Sequence, residues 1–113
     1  MRFDIEELGP TASKVILVGR LDSTTVGGVE TQFTAAVVAP GRSAVLDMRG
    51  LEFLSSLGIR LLLSVARVIS RRGGRMVLFG TRPMVAEVLT AMALEEVLPM
   101  VGTEAEAVAR LGA

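Results

Sequence analysis

Polar and apolar residues alternate over Arg2-Phe3-Asp4-Ile5-Glu6, the pattern breaks at Gly9-Pro10, and Lys14-Val15-Ile16-Leu17-Val18-Gly19 resumes as a more continuous apolar run. A period of two marks extended chain with one buried face, so these stretches predict two strands paired as a hairpin. Asp22, Ser23 and Thr24 then offer oxygens for a helix N-terminus. Val26, Val29, Phe33, Ala36 and Val37 follow at spacings of three and four, which predicts a helix from about Thr24 to Val38, ended by Pro40-Gly41. Ala44-Val45-Leu46-Asp47-Met48 is a short apolar run bounded by Arg42-Ser43 and Arg49-Gly50, the pattern of a strand covered on both faces.

From Ser56 to Arg72 a broad apolar stripe runs beside Arg60, Ser64, Arg67 and Arg71, which recur at steps of four, three and four. At about 100° per residue these four share one face of a helix. Gly73-Gly74 suits the left-handed end of that helix, Met76-Val77-Leu78-Phe79-Gly80 predicts the next strand, and Pro83 opens another helix. Leu98 to Met100 reads as a small edge strand. Thr103 caps a last helix, with Glu106 in the capping-box position. The order ββαβαβαα predicts an α/β domain, a mixed four- to five-stranded sheet packed with about four helices. In such a fold, contacts with ligands or partners gather at the carboxyl ends of the strands, here near Arg20 to Ser23, Phe53 to Gly58 and Gly80 to Pro83.

Composition narrows the chemistry. The 113 residues, half of them hydrophobic and with a mean hydropathy of +0.55, suffice for one packed domain, residues 1–113. With no cysteine and no histidine, the chain has no thiol nucleophile, no Cys or His metal site and no imidazole for acid-base or phosphohistidine chemistry. Neither a catalytic nor a metal site is expected, and no cofactor. Twelve basic and twelve acidic residues cancel, and four Phe are the only aromatics, which argues against a nucleic-acid or anionic-membrane surface. No signal-peptide order and no membrane-length apolar run occurs, so a cytoplasmic protein is expected.

Charge is uneven along the chain all the same. Residues 55–82 hold six Arg and no acid, whereas residues 83–113 hold one Arg against five Glu. A solvated helix face accounts for the Arg60, Arg67, Arg71 stripe, with recognition of an acidic partner or a phosphate backbone as the alternative. Met84, Met92 and Met100, with Leu89, Leu94 and Leu98, read as core residues of the C-terminal third, with an adaptable apolar contact surface as the alternative.

The most informative stretch is Val45 to Arg60, which joins the expected central strand to the long helix. Ser55 or Ser56 stands where the helix begins, and Gly58 admits the close approach of a partner's backbone. A phosphate on such a serine would meet free N–H groups and the positive end of the helix dipole, while a partner docked there would face about −1.5 to −2 new charges. Arg60, four residues beyond Ser56, stands within helical reach of such a phosphate. A plain helix cap is the other reading of the same serine.

These residues resemble the signature of STAS domains, specifically the bacterial anti-sigma factor antagonists. Asp47-Met48 stands at the family's strand-end Asp-Leu, Phe53-Leu54 at its aromatic-aliphatic pair, and Ser55-Ser56-Leu57-Gly58-Ile59 at its phosphosite loop. Gly19-Arg20-Leu21-Asp22 resembles the family's Gly-x-Leu-Asp marker. Ser55 occupies a place most often held by Asp, and Leu57 one usually held by Ser, Thr or Ala. The resemblance implies a partner-switching regulator and not an enzyme. Its unphosphorylated form would bind an anti-sigma factor that is also a serine kinase, freeing a sigma factor; phosphate on Ser56 would abolish that binding, and a PPM-type serine phosphatase would restore it. Asp22, Ser23, Ser55, Ser56, Leu57, Gly58 and Arg60 are the implied docking residues. The alternative is a STAS subunit of a lipid-translocating ABC-type transport assembly.

Overall fold

The computed structural model describes residues 1–10, 12–38 and 43–111. The N-terminal alternation forms β1 (Arg2–Glu7) and β2 (Ala12–Leu21), an antiparallel pair with Phe3 opposite Leu17 and Ile5 opposite Val15. Three further strands, β3 (Ser43–Leu54), β4 (Met76–Phe79) and β5 (Met100–Val101), add in parallel to give a mixed sheet in the order β1-β2-β3-β4-β5. Helices α1 (Val26–Val38), α2 (Ser56–Arg71) and α3 (Pro83–Ala91) connect the parallel strands, and α4 (Glu104–Leu111) follows the last. This is the α/β architecture expected from the pattern, with the edge strand shifted from Leu98–Met100 to Met100–Val101.

Parallel strands taken in sequential order with right-handed crossovers place their connecting helices on one face of the sheet. That face carries the main core: Val15, Leu17, Leu46, Met48 and Leu78 from the strands meet Phe33, Leu62 and Leu89 from the helices. Phe3 and Phe33 join β1 to α1 edge to face, with ring centres 5.7 Å apart. On the opposite face, Ala107 of α4 seals Val45, Val77 and Phe79. The Lys14–Glu104 ion pair, at 2.6 Å, ties that helix across to β2. No described helix is long and apolar enough to cross a membrane.

Two boundaries differ from the sequence reading, each for a physical reason. Helix α1 begins at Val26, not Thr24, because Asp22 to Thr25 form a hydrogen-bonded turn ahead of it. Its expected stop at Pro40-Gly41, and the side chains of Ala36 and Val37, lie outside the described residues. Strand β3 continues six residues past Met48. Its register against β2 slips twice, so that Ile16 faces Asp47 but Val18 faces Gly50, and Gly19 faces Leu51 but Arg20 faces Phe53. Each slip inserts one extra residue in β3, the definition of a bulge. Inward residues therefore recur every third position, at Met48, Leu51 and Leu54, and hide the period of two. Gly50 is required at the first slip, since a Cβ there would lie 2.8 Å from the Leu17 carbonyl oxygen.

The methionines divide. Leu89 and Leu98 are core residues and Met100 packs against them, whereas Met84 and Met92 are 73% and 51% exposed. The capping box holds in its backbone half, with the Glu106 N–H donating to Thr103 Oγ1 at 3.2 Å.

Candidate functional site

The bulges carry the ends of β2 and β3 forward together. Arg20 pairs with Phe53 and Leu21 with Leu54, and the Ser55 N–H then donates to the Leu21 carbonyl at 2.9 Å. Arg20 stacks its guanidinium over the Phe53 ring, 4.4 Å from its centre. The β2–α1 and β3–α2 loops are thus one joined rim at the carboxyl end of the sheet.

Asp22 organises the first loop from within. Its Oδ1 accepts from the Thr24 hydroxyl at 2.6 Å, the Thr24 N–H at 2.9 Å and the Thr25 N–H at 3.2 Å, and its own N–H donates to Thr25 Oγ1 at 2.9 Å. The Thr24 hydroxyl, followed by the Thr24 amide, holds this carboxyl below the usual carboxylate range. Arg20 approaches the other oxygen at 3.5 Å. The loop is therefore a fixed platform that leaves Ser23 and Thr24 exposed.

The second loop separates two serines that the sequence leaves equivalent. Ser55 adopts extended dihedrals (φ −85°, ψ 173°) and its Oγ accepts from the Gly58 N–H at 3.2 Å: Ser55 is the N-cap. Ser56 is the first helical residue and is exposed, and its hydroxyl has no hydrogen bond among the described residues. The helix's backbone ladder starts with the Ile59 N–H on the Ser55 carbonyl, so the amides of Ser56 and Leu57 stay without intrahelical acceptors. Leu57 is 41% exposed, and Arg60 is exposed one turn further along.

Gly58 departs from expectation. It is buried, and the close approach it permits is to its own chain: a Cβ would lie 2.7 Å from the Leu21 carbonyl oxygen and 2.8 Å from Leu54 Cδ1. Its place is beneath the rim, seating the first turn of α2 on the end of β2.

Asp47 stands apart from this rim. Instead of ending a strand it sits inside β3, 4% exposed, where Arg49 grips both of its oxygens at 2.9 and 2.7 Å and holds its carboxyl below the usual range. Sequence reasoning offered Thr24 only as a helix-cap oxygen and overlooked Thr25, the two that fix Asp22, as well as the Arg20–Phe53 stack. The stack had no sequence signal, because the second bulge sets its register.

A model of the STAS domain matches residues 4–107. The chain belongs to the STAS family. Two relatives stand close to this STAS domain. BtrV of Bordetella bronchiseptica, described as an anti-sigma factor antagonist, is 30% identical over 93 residues, 82% of this chain and 80% of its own. The anti-sigma F factor antagonist of Paenibacillus polymyxa is 29% identical over 98 residues, 86% of this chain and 84% of its own. Among solved structures, SpoIIAA in its unphosphorylated form superposes with a TM-score of 0.78 at 24% identity, covering 98% of this chain and 96% of that one. SpoIIAA of Bacillus in its phosphorylated form gives 0.72 at 23% identity, covering 96% and 98%. These likenesses carry the fold.

Proposed function

We propose that this STAS domain is an anti-sigma factor antagonist that works by partner switching, with Ser56 as its phosphate acceptor. The relatives named as antagonists, matched over more than four-fifths of this chain, support the class. The observation that carries the switch is the division of labour between adjacent serines. Ser55 serves the helix as its cap, so the exposed hydroxyl of Ser56 has no structural duty and is free to be modified.

In this reading the unphosphorylated rim is the docking surface. Leu57 supplies apolar contact, Ser23 and Ser55 line the approach, and Asp22 and Gly58 hold the two loops in place. A partner anti-sigma factor with serine kinase activity binds there and releases its sigma factor. It also transfers the ATP γ-phosphoryl group to Ser56 Oγ, the hydroxyl proton leaving to a base and ADP departing. The new dianion is tolerated by the domain, because it meets the free amides and positive dipole end of α2 with Arg60 a turn away. The fold that this chain shares with SpoIIAA exists in both forms. A partner packed over the same spot loses apolar contact and must desolvate the charge, so the complex dissociates. Hydrolysis by a PPM-type serine phosphatase restores the hydroxyl. The domain is substrate and binder, not catalyst.

Affinity capture from native lysate with wild type and Ser56→Glu as baits tests this. An ATP-binding anti-sigma factor held by wild type and lost by Ser56→Glu is expected. Equal capture of a permease and its ATPase by both baits would overturn it in favour of a transport subunit.

A further inference from the structure

At the far end of α2 from Ser56, a cleft of about 500 Å³ opens between the C-terminal turns of α2, the start of β4, the segment before β5 and the end of α4. Four arginines, Arg67, Arg71, Arg75 and Arg110, line it against one carboxylate, Glu96. All four are exposed, and none enters an ion pair among the described residues; Arg75 Nη1 donates only to the Arg110 carbonyl, at 3.3 Å. Guanidinium groups drawn from α2, the loop before β4 and α4 into one cleft repel one another, and an anion relieves that repulsion.

The floor is different in kind. Ala66, Met76 and Val77 are buried apolar residues, and Val97 adds an exposed apolar edge. The floor also contains open strand edge. Strand β5 pairs with β4 only at Leu78 and Phe79, and Pro99, which has no N–H, cannot carry the ladder back towards Met76. A bare phosphate anion needs charge and donors but has no use for an apolar floor. An extended peptide with acidic side chains for the arginines and an apolar side chain for the floor uses both, and a strand edge as well.

We propose that this cleft binds a short acidic peptide segment with apolar anchors, contributed by a partner protein. At 1.5 Å rise per residue, the α2 residues that line the cleft, Ala66 to Arg71, lie roughly 15 to 22 Å along the helix from Ser56. The peptide and the phosphorylation rim are therefore separate surfaces, and the peptide site stands whether or not the switch does.

The test is fluorescence anisotropy of a labelled hexapeptide alternating glutamate and leucine, titrated with the full chain, alongside a lysine–leucine counterpart and tripolyphosphate as competitor. The expected result is saturable binding of the acidic peptide alone. It should weaken with added salt, fall at least tenfold in Arg71→Ala/Arg75→Ala, and stay unchanged in Ser56→Glu. Amide chemical-shift changes in the wild type, expected at Met76, Val77 and Val97, locate the site without any variant. Absence of saturation, shifts confined elsewhere, or equal binding by a peptide with alanine for leucine that tripolyphosphate fully displaces would overturn the proposal.

Discussion

Two neighbouring hydroxyls, Ser55 and Ser56, do different work because one lies just outside the helix and the other just inside it. The Ser55 Oγ replaces a missing helical partner for the Gly58 N–H, so Ser55→Ala is expected to cost about 1 kcal/mol of stability. Ser56→Ala removes an exposed hydroxyl with no partner and should change stability by less than about 0.5 kcal/mol. Urea unfolding of the two variants checks the difference, and the reverse order would mean that Ser56 is the structural serine. The sequence shows that a serine caps this helix but not which one. That choice rests on a single pair of dihedrals, which the run Leu54-Ser55-Ser56-Leu57 does not encode locally. Gly58 was legible as a place of close approach, but what approaches it was not, since Leu21 lies 37 positions earlier in the chain.

At the scale of elements, strand, helix and turn types followed from period and punctuation, because burial of one face leaves a two- or 3.6-residue trace in the sequence. Strand β3 is the exception. Its bulges turn the inward period to three after Met48 and so erase the signal over the stretch that delivers Phe53 and Leu54 to the rim. Helix α2 in turn is seated by the fit of Gly58 beneath Leu21. Gly58→Ala forces a methyl group into a carbonyl oxygen and a leucine side chain and is expected to cost about 1–3 kcal/mol. It should also weaken partner binding by shifting the first turn of α2. Thermal unfolding together with binding measured below the transition separates the effects; a variant as stable and as tight as wild type would show that the turn is not held there.

Over the whole molecule, charge cancels in number but not in place, and this is where sequence reading was thinnest. The Arg60, Arg67, Arg71 stripe within the block of six arginines between residues 55 and 82 reads as a solvated face, yet three of the six, Arg67, Arg71 and Arg75, converge with Arg110 of α4 on one cleft. Acid sensitivity is also a global property. Asp22 and Asp47 are both held below the ordinary carboxylate range, the first chiefly by the Thr24 hydroxyl and the second chiefly by Arg49. Each therefore binds a proton more weakly when folded. The stability they contribute is fully present above the ordinary carboxylate pKa of about 4 and is lost as pH falls through the lower folded values. Urea midpoints taken from about pH 5 to about pH 3 should fall for wild type and fall less for Asp47→Asn. Parallel curves would remove Asp47 from the account.

The central claim is that phosphate on Ser56 is incompatible with the docked partner while the domain itself stays folded. Its most direct measurement is the affinity of the purified anti-sigma factor for two preparations of this domain, one unmodified and one carrying phosphoserine at position 56, each first shown to unfold at the same temperature. A loss of at least about 100-fold, or about 3 kcal/mol, on phosphorylation is the predicted result. Equal affinities for the two folded forms would contradict it and leave Ser56 as an ordinary surface serine.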